Sequence, residues 1–390
     1  MASPLEDAAI LARNAVDCLP AGELARKLET RSPLRVKLGL DPTAPDIHLG
    51  HVVVLQKLRE FQDLGHLVVL IVGDYTARVG DPSGRSSTRP QLSGEEIDAN
   101  ARSYQEQAFT VLDPTRVEVR RNSEWLDMSM EHLFALTRTA TVAQLLERDD
   151  FAKRYAAGTP ISILELLYPM MQAYDSVAID ADVELGGTDQ KFNLLLGRDV
   201  QRAYAKPEQV VLTMPILPGI DGERKMSKSL GNHIGVSEPP EEMYGKTLRI
   251  PDSAMSQWYD LLLGEPLPPD LGPRDAKHAL ARRLVERFHG PDAAVAAAAH
   301  FDKVVIQGDI PDDVPEWALG GDGGPIHLPA LIADAFGGSR SEARRLLVQG
   351  GVKLDGAALD GAELDIESAR LAGAVLQVGK RKFVRLVATS

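Results

Sequence analysis

The sequence has one cysteine and no long apolar run, and these two shortages exclude several classes of protein. Cys18 is the only thiol in 390 residues, so an internal disulfide framework and a cysteine-based zinc site are excluded. Apolar runs such as Leu67–Val72 are far shorter than the roughly 18–20 residues of a membrane-spanning helix. The first residues show no basic region followed by an apolar stretch, so no signal peptide is expected. We therefore expect a cytoplasmic protein without a membrane partner.

Two common phosphate-binding signatures are also missing. The sequence contains neither GxGxxG nor GxxxxGK followed by Ser or Thr, so neither a dinucleotide fingerprint nor a P-loop is supported. A hydrophobic content of 44% and a charged content of 25% are those of a globular protein, and this length predicts two or three domains. The net charge of −13 argues against a general nucleic-acid coat. Residues 326–390 nevertheless carry nine Lys and Arg against seven Asp and Glu, which is compatible with local RNA contact.

Strand and helix patterns alternate near the start of the chain. Arg35–Leu40 is predicted as a strand, 52–61 as a helix and Leu67–Val72 as a buried parallel strand. This βαβ pattern predicts a parallel sheet with helices on both faces. Helical periodicity dominates at about 115–185, for example over 142–155, and again over 243–301. The predicted domains are a Rossmann-like α/β domain over 1–240 with a helical insertion at about 115–185, an α-helical domain over 241–307, a Pro-, Gly- and Asp-rich linker over 308–325, and a small α+β domain over 326–390.

Lys225 and Lys228 belong to the most informative segment, KMSKS, residues 225–229. Glycine and proline punctuate the chain around it, which indicates a loop. Two ammonium groups on a hydroxyl-rich loop suit the binding of a triphosphate, because lysine follows phosphate oxygens as their charge redistributes. A solvated basic turn would also explain such a pair taken alone.

His48 and His51 lie three residues apart at a predicted helix start, beside Gly50. Side chains at this spacing share one helix face, and the helix N-terminus favours anions. An imidazole donor there can stabilise charge that develops on a transferring phosphate. The alternatives are two surface histidines or a metal site, for which His66 is the obvious further ligand. The presence of the KMSKS loop favours the phosphate interpretation.

Tyr168, Gln172 and Asp175 are predicted to share one face of a helix with apolar neighbours. Such buried polar groups form either an interior hydrogen-bond network or a ligand-binding face. Pro169 must distort this helix or start a new turn. The sequence therefore leaves both interpretations open.

Two further segments are candidates for ligand contact. A Gly-Gly turn precedes Asp189, whose carboxylate could accept hydrogen bonds from ribose hydroxyls. The segment 80–85, followed by Arg89, comes after the strand Leu67–Val72. Its position is near the carboxyl edge of a parallel sheet, where ligand sites of α/β proteins form.

Five segments in this order and spacing resemble those of bacterial tyrosyl-tRNA synthetases, which are class I aminoacyl-tRNA synthetases. They are DPTAPDIHLGH at 41–51, VGDYTARVGDPSGR at 72–85, YPMMQAYD at 168–175, ELGGTDQKFN at 184–193 and KMSKS at 225–229, and the resemblance covers nearly the whole chain. It implies that L-tyrosine is activated with ATP to tyrosyl-adenylate and then transferred to the 3′ end of tRNA(Tyr). It also implies ATP with Mg²⁺ as substrate, no tightly bound cofactor, and a homodimer.

The resemblance gives a role to each matching residue and implies no metal ligand. The residues implied in catalysis, through stabilisation of the phosphates, are Thr43, His48, His51, Lys225, Lys228 and Ser229. Those implied in ATP binding are Gly50, Gly187, Asp189, Arg85, Arg89 and Lys228. Those implied in tyrosine binding, with Asp175 accepting from the phenol hydroxyl, are Asp81, Tyr168, Gln172, Asp175, Gln190 and Lys37.

Position 37 departs from the family pattern. Many members carry a tyrosine there as a second partner of the phenol hydroxyl, and this chain has Lys37. Discrimination against phenylalanine would then depend more on Asp175, which phenylalanine leaves without a hydrogen-bond partner. Selection of tyrosine over phenylalanine is a known example of such rejection without editing, and the chain has no insert large enough for an editing domain.

The end of the chain, from about Ile326, resembles an S4-type RNA-binding domain. Residues 339–347 predict a helix with arginines on one side, and 375–386 predict a hairpin with a basic tip. A solvated surface helix is the alternative for the arginines. The cations implied in contacting RNA phosphates are Arg340, Arg344, Arg345, Lys380, Arg381 and Lys382.

The residues also bear on three functions other than the one that the resemblance implies. A tryptophanyl enzyme would not be expected to place Asp175 at a phenol, nor to carry an S4-type tail. A small-molecule nucleotidyltransferase would need neither the helical domain nor that tail. A non-catalytic RNA-binding descendant predicts damaged signature motifs, whereas both motifs are intact here.

Overall fold

The computed structural model describes residues 3–42, 46–81, 93–307, 314–320, 324–379 and 382–388. The strands within this part of the chain are β1 (Asp17–Leu19), β2 (Arg35–Leu40), β3 (Leu67–Val72), β4 (Val117–Arg121), β5 (Val183–Gly187), β6 (Val210–Met214), β7 (Glu316–Leu319), β8 (Pro325–His327), β9 (Val352–Leu354), β10 (Ala357–Ala358), β11 (Asp365–Glu367), β12 (Val375–Val378) and β13 (Lys382–Ala388).

The α-helices of the same ranges are α1 (Pro4–Ala12), α2 (Glu23–Thr30), α3 (Leu49–Asp63), α4 (Gly94–Ala108), α5 (Ser123–Leu126), α6 (Met130–Thr137), α7 (Val142–Leu145), α8 (Asp149–Ala156), α9 (Ile163–Ala178), α10 (Lys191–Ala203), α11 (Pro240–Thr247), α12 (Met255–Trp258), α13 (Pro273–His289), α14 (Pro291–Phe301), α15 (Leu328–Phe336), α16 (Arg340–Val348) and α17 (Ser368–Leu371). Searched over these described residues, no helix is long and apolar enough to cross a membrane.

The chain divides into two compact units. The first consists of Met1–Glu238 with Lys246–Leu280, and the second of Pro239–Gly245 with Ala281–Ser390. The domain boundaries drawn from the sequence stay a prediction.

The first unit is built on a six-stranded sheet in the order β1-β6-β5-β2-β3-β4. All neighbours are parallel except β1, which pairs antiparallel with β6. The predicted strands at Arg35–Leu40 and Leu67–Val72 are confirmed with the same bounds, and they pair in parallel across α3. Their apolar side chains are buried on both faces, which is typical of a parallel sheet covered by helices. The predicted α/β class with a parallel-sheet core is therefore confirmed.

The segment from 115 to 185 is less continuous than the sequence suggests. Strand β4 lies inside it, and the helix predicted over 142–155 is two helices, α7 and α8. The break comes at Arg148, whose extended backbone precedes a new first turn that begins with Asp149 and Asp150. Carboxylates favour a helix N-terminus, so this acidic pair starts a helix instead of continuing one.

Helix α9 runs without interruption through Pro169. A capping box of Ser162 and Glu165 closes its N-terminus, and much of its apolar surface is buried. These contacts offset the hydrogen bond that the proline cannot donate. Tyr168, Gln172 and Asp175 therefore do lie on one helix.

The second unit ends in a small α+β region, as predicted. Its main sheet has the order β10-β9-β12-β13-β7, and β8 pairs with β11 in a separate two-stranded sheet. The predicted hairpin is confirmed as the antiparallel pair β12 and β13. Strand β7 lies inside the segment predicted as a linker and pairs in parallel with β13, because Trp317 and Leu319 supply apolar side chains to this core.

Candidate active site

The loop with the KMSKS sequence lies against the start of α3. Residues just after the loop form a short backbone ladder with the histidine segment: the Leu49 amide donates to the Ile234 carbonyl at 2.9 Å, and the Val236 amide donates to the Ile47 carbonyl at 3.0 Å. His48 and Gly235 face each other in this ladder. The two signature segments, about 180 residues apart in sequence, therefore meet at one helix N-terminus.

His48 and His51 form a stacked pair at this N-terminus. Their ring centroids are 4.0 Å apart, and the His48 amide donates to His51 Nδ1 at 3.2 Å. Burial lowers the pKa of His48 to about 2 and that of His51 to about 4, with added repulsion from Lys225 and Lys228. Both rings are neutral at pH 7. The buried Nδ1 atom of His48 has no hydrogen-bond partner within the described ranges.

Gly50 is the residue that lets the His48 ring fold over the helix start. A Cβ atom at position 50 would lie 3.0 Å from both Cε1 and Nδ1 of that ring. Any side chain there would push the imidazole away, so the glycine fixes where the ring lies.

The two lysines of the loop are held by carboxylates. Lys225 pairs with Asp189, and Lys228 Nζ lies 2.7 Å from Asp46 Oδ2. Both pairs are partly exposed, so each contributes little stability and can be exchanged for another anion. Ser229 Oγ lies 2.9 Å from Ser227 Oγ in the same loop.

Buried contacts hold the backbone of the loop. The Met226 side chain is almost fully buried, and its amide donates to the Leu217 carbonyl at 3.1 Å. Asn232 accepts from the Ser227 amide at 2.8 Å and donates to Asp221 at 2.9 Å. The loop is therefore anchored at both ends while its cations remain accessible.

Two carboxylates, those of Asp41 and Asp81, lie in a cluster of polar side chains at the carboxyl edge of the sheet. Tyr168 donates from its hydroxyl to Asp41 Oδ2 at 2.9 Å, and Thr76 donates to the other oxygen at 2.7 Å. Asp81 accepts from Gln190 Nε2 at 2.9 Å and from Arg148 at 3.2 Å. Burial, with the neighbouring Asp41 and Asp81 charges, raises the pKa of Tyr168 well above its usual value. This polar cluster with its two carboxylates therefore suits a cation.

Asn193 links the other polar side chains of this cluster. Its amide donates to Gln172 Oε1 at 2.9 Å and to Gln190 Oε1 at 3.0 Å, and its oxygen accepts from Arg148 at 3.2 Å. The sequence analysis missed Asp41, Arg148 and Asn193. The first and last stand inside the quoted motifs, and Arg148 has no local signal.

Asp175 lies on α9, seven residues after Tyr168, and is 3% exposed. Trp125 Nε1 donates to its Oδ1 at 2.8 Å, and Asn122 gives a second side-chain hydrogen bond. Burial raises the pKa of Asp175 to about 7, although Lys37 and the Trp125 bond act in the opposite direction. The protein therefore holds a buried carboxyl group that accepts hydrogen bonds from Trp125 and Asn122.

Lys37 is completely buried, and it contacts α9 next to Asp175. Its Nζ lies 2.8 Å from Glu184 Oε1 and also donates to the Gln172 carbonyl at 2.8 Å and to Ser176 Oγ at 2.7 Å. The sequence analysis missed Glu184 and Ser176 as its partners.

Some predicted residues lie elsewhere. Thr43, Arg85, Arg89, Lys380 and Arg381 fall outside the described residues. Gly187 ends β5 next to Asp189, at the carboxyl edge of the sheet. In the second unit, three arginines are exposed on α16 and one lysine is exposed on β13: Arg340, Arg344, Arg345 and Lys382.

No cluster of three or more His, Cys, Asp or Glu side chains that could hold a metal ion occurs in the described ranges. The His48 and His51 pair thus lacks a third such ligand there.

Comparisons with known proteins show the family to which the chain belongs. The sequence matches the family described as tRNA synthetases class I (W and Y) over residues 29–305. Tyrosine–tRNA ligase from Moorella thermoacetica is 52% identical over 394 residues, which cover 97% of this chain and 94% of that protein. The Thermotoga maritima protein of the same name is 50% identical over 396 residues, 98% of each chain.

Solved structures show the same fold. A tyrosyl-tRNA synthetase from Archaeoglobus fulgidus, complexed with L-tyrosine, is similar with a TM-score of 0.61 and 24% identity, covering 76% of this chain and all of that one. A truncated mitochondrial tyrosyl-tRNA synthetase from Aspergillus nidulans gives a TM-score of 0.62 with 24% identity over 77% of this chain and 93% of that one.

Proposed function

The chain belongs to the W and Y family of class I tRNA synthetases, and we propose that it is a tyrosine–tRNA ligase. The carboxylate of L-tyrosine attacks the α-phosphorus of ATP, which gives tyrosyl-adenylate and releases pyrophosphate. The terminal ribose hydroxyl of tRNA(Tyr) then takes the tyrosyl group. Relatives of that name align with the chain over nearly its full length at 52% and 50% identity, and they support the proposal.

The burial of the Asp175 carboxyl group is the observation that favours tyrosine as the substrate. A buried carboxyl group at one end of the pocket accepts a hydrogen bond from a phenol hydroxyl, which phenylalanine and tryptophan cannot supply there. A substrate without that hydroxyl removes one hydrogen bond from this buried carboxyl group, which keeps its bonds from Trp125 and Asn122, at a cost of about 1–3 kcal/mol.

The opposite end of the pocket binds the substrate's ammonium group. Asp81, Tyr168 and Gln172 are proposed as its partners, and Gln190 lies beside them through Asp81 and Asn193. Arg148 neutralises part of the Asp81 charge and orients it toward Gln190. With the ammonium at one end and the phenol at the other, the carboxylate of tyrosine is left to meet ATP.

Activation is proposed to depend on positioning and electrostatics instead of a covalent intermediate. His48 and His51 are neutral at pH 7 and lie at a helix N-terminus. Their rings can therefore donate hydrogen bonds to the phosphates without repelling the nearby lysines. Lys225, Lys228 and Ser229 follow the pyrophosphate as it leaves. Thr43, Arg85 and Arg89 are proposed for the same phosphates, and Gly187 with Asp189 for the ribose.

Lys225 and Lys228 rest on Asp189 and Asp46 in the structure. A triphosphate carries more charge than one carboxylate, so ATP is expected to displace both pairs. Release of Asp189 from Lys225 also frees this carboxylate to accept from the ribose. Mg²⁺ is proposed to enter with the phosphates of ATP, since it retains most of its waters and prefers phosphate oxygens.

The C-terminal region is proposed to act as an S4-type RNA-binding domain. The exposed cations of α16 and β13 are Arg340, Arg344, Arg345 and Lys382, and Lys380 and Arg381, outside the described residues, are proposed to act with them. Such cations contact phosphates and position the tRNA without reading its bases.

A homodimer is proposed from exposed apolar side chains on the first unit. Within α6 to α9, Met130, Phe134, Val142 and Ile163 are 54–79% exposed. Apolar side chains gathered on one segment favour burial against a partner. A second copy of this chain is the proposed partner. A cytoplasmic location is proposed because ATP and tRNA are substrates there and because the single cysteine suits a reducing compartment.

ATP–pyrophosphate exchange with tyrosine, phenylalanine and tryptophan tests the proposed activity. The purified protein should exchange label with tyrosine and much more slowly with the other two. Exchange that depends on tryptophan would assign the other member of the family, and no exchange with any of the three would refute the activation step.

A further inference from the structure

The Lys37 ammonium group has no N–H left for a substrate. An ammonium has three donors, and in this protein they are satisfied by Glu184, the Gln172 carbonyl and Ser176 Oγ at 2.7–2.8 Å. Lys37 is 0% exposed and Glu184 is 1% exposed.

Glu184 is bonded as completely as its partner. Its Oε1 faces Lys37, and its Oε2 accepts from Ser176 at 3.1 Å and from Gln209. Lys37 and Glu184 are direct neighbours in the parallel pairing of β2 with β5, so both side chains leave the same face of the sheet.

A glycine on α10 makes room for this buried group. A Cβ atom at Gly197 would lie 2.5 Å from Gln209 Nε2 and 3.2 Å from Glu184 Oε2. The backbone of α10 therefore approaches the carboxylate as closely as a glycine allows, and the pair is enclosed between the sheet and two helices.

The pair contacts α9 both before and after Asp175. Lys37 bonds the backbone of Gln172, three residues before Asp175, and the side chain of Ser176, the residue after it. Ser176 in turn donates to Glu184. The pair thus fixes the turn of α9 from which Asp175 projects.

We propose that Lys37 and Glu184 act as positioning residues that hold Asp175 for the phenol hydroxyl, and that neither touches the substrate. This inference rests on the proposed function, since it names how the same pocket selects tyrosine. Lys37 replaces a direct contact with an indirect one: selection depends on the pair through the place and charge of Asp175.

The groups that face Asp175 come from several elements. Lys37 lies on β2, Glu184 on β5 and Tyr168 on α9 itself, while Trp125 and Asn122 donate hydrogen bonds. The Lys37 charge lowers the pKa of Asp175 more than the Glu184 charge raises it. Removal of both charges should therefore leave Asp175 easier to protonate.

The test compares the neutral double variant Lys37→Met/Glu184→Gln with the wild type. A matched control is Lys57→Met/Glu60→Gln, which removes another ion pair with a buried lysine from the same unit, on α3. Tyrosine- and phenylalanine-dependent exchange is measured from pH 5.5 to 9, and thermal unfolding of the ligand-free proteins is measured over the same range.

The double variant is expected to lose at least about tenfold of the tyrosine-over-phenylalanine ratio in kcat/KM. The acidic limb of its tyrosine pH profile should move to higher pH, whereas the control variant keeps both the ratio and the profile. Ser176→Ala, which keeps both charges and removes one hydrogen bond from each, should lower the ratio by less and leave the pH profile near that of the wild type. If the double variant does not fold, the change of the ratio in Ser176→Ala decides the test.

Glu184→Gln separates the two roles of Lys37. A direct contact of Lys37 with the phenol would keep the ratio and the pH profile near the wild-type values in this variant, and that result would overturn the proposal. An unchanged ratio in Ser176→Ala and the double variant would overturn it as well. A wild type that exchanges nothing with tyrosine would refute the proposed function, and the pH dependence of unfolding would still report whether the pair acts on Asp175.

Discussion

Asp175→Asn is expected to stabilise the ligand-free protein while it damages the use of tyrosine. The Asp175 pKa is raised from 3.8 to about 7 in the folded protein because the carboxyl group is buried. The folded state therefore holds this proton more tightly than the unfolded state does. Binding of this proton stabilises the folded wild-type protein fully below about pH 4, and this contribution is lost as the pH rises through about 7.

The size of this effect follows from the same pKa. Moving the carboxyl from 3.8 to about 7 corresponds to a cost of about 4 kcal/mol for the charged form at pH 8. Asparagine has nearly the same shape and stays neutral, so the variant should regain up to about 4 kcal/mol there. For a unit of this size, that gain raises the midpoint of thermal unfolding by roughly 10 °C.

Circular dichroism of thermal unfolding at pH 5 and pH 8 measures this gain. The variant should exceed the wild type by much more at pH 8 than at pH 5, and Asp149→Asn on the exposed start of α8 should show no such difference. Exchange with tyrosine should fall by roughly 10- to 100-fold in kcat/KM, because a hydrogen bond to a charged group is replaced. A gain in stability that is equal at both pH values, or no gain, would refute a raised pKa for the buried carboxyl group of Asp175.

Three other predictions concern the phosphate end and the tail. Lys228→Ala should lower kcat of exchange by about 10²-fold with little change in tyrosine binding, as stopped-flow fluorescence and equilibrium dialysis can separate; equal losses in both would place Lys228 in the tyrosine pocket. Gly50→Ala should lower kcat by about tenfold or more because its methyl group displaces the His48 ring, and an unchanged kcat would show that the ring position is unimportant. Arg340→Glu/Arg344→Glu should keep exchange and lose most tRNA charging, with a shallower dependence of tRNA binding on salt than in the wild type because fewer phosphates are neutralised, whereas full charging would remove these arginines from the RNA surface.

The sheet could be predicted from the sequence where the apolar pattern is local. β2 and β3 have the predicted bounds because each is a short apolar run between polar turns, and the parallel pairing follows from the helix between them. The break between α7 and α8 was missed, since helical periodicity continues across it while the backbone of Arg148 turns away. Strand β7 was missed because its pairing partner is β13, far along the chain.

The candidate site was predictable only as far as its motifs reach. His48, Asp175 and the KMSKS lysines stand in segments whose spacing points to their chemistry. Arg148 gave no signal, because its link to Asp81 spans 67 residues and exists only in the folded chain. Lys37 was recognised as a departure, but the complete use of its three donors is a fact of geometry that no spacing reveals.

Charging of tRNA measures the complete two-step reaction proposed for this protein. Purified protein is incubated with ATP, Mg²⁺, bulk bacterial tRNA and either labelled tyrosine or labelled phenylalanine, and acid-precipitable label is counted. The account predicts that tyrosine is attached to a small fraction of the tRNA, with a base-labile ester bond, and that phenylalanine is not. Tyrosine-dependent exchange without any tyrosine on tRNA, or equal attachment of both amino acids, would contradict it.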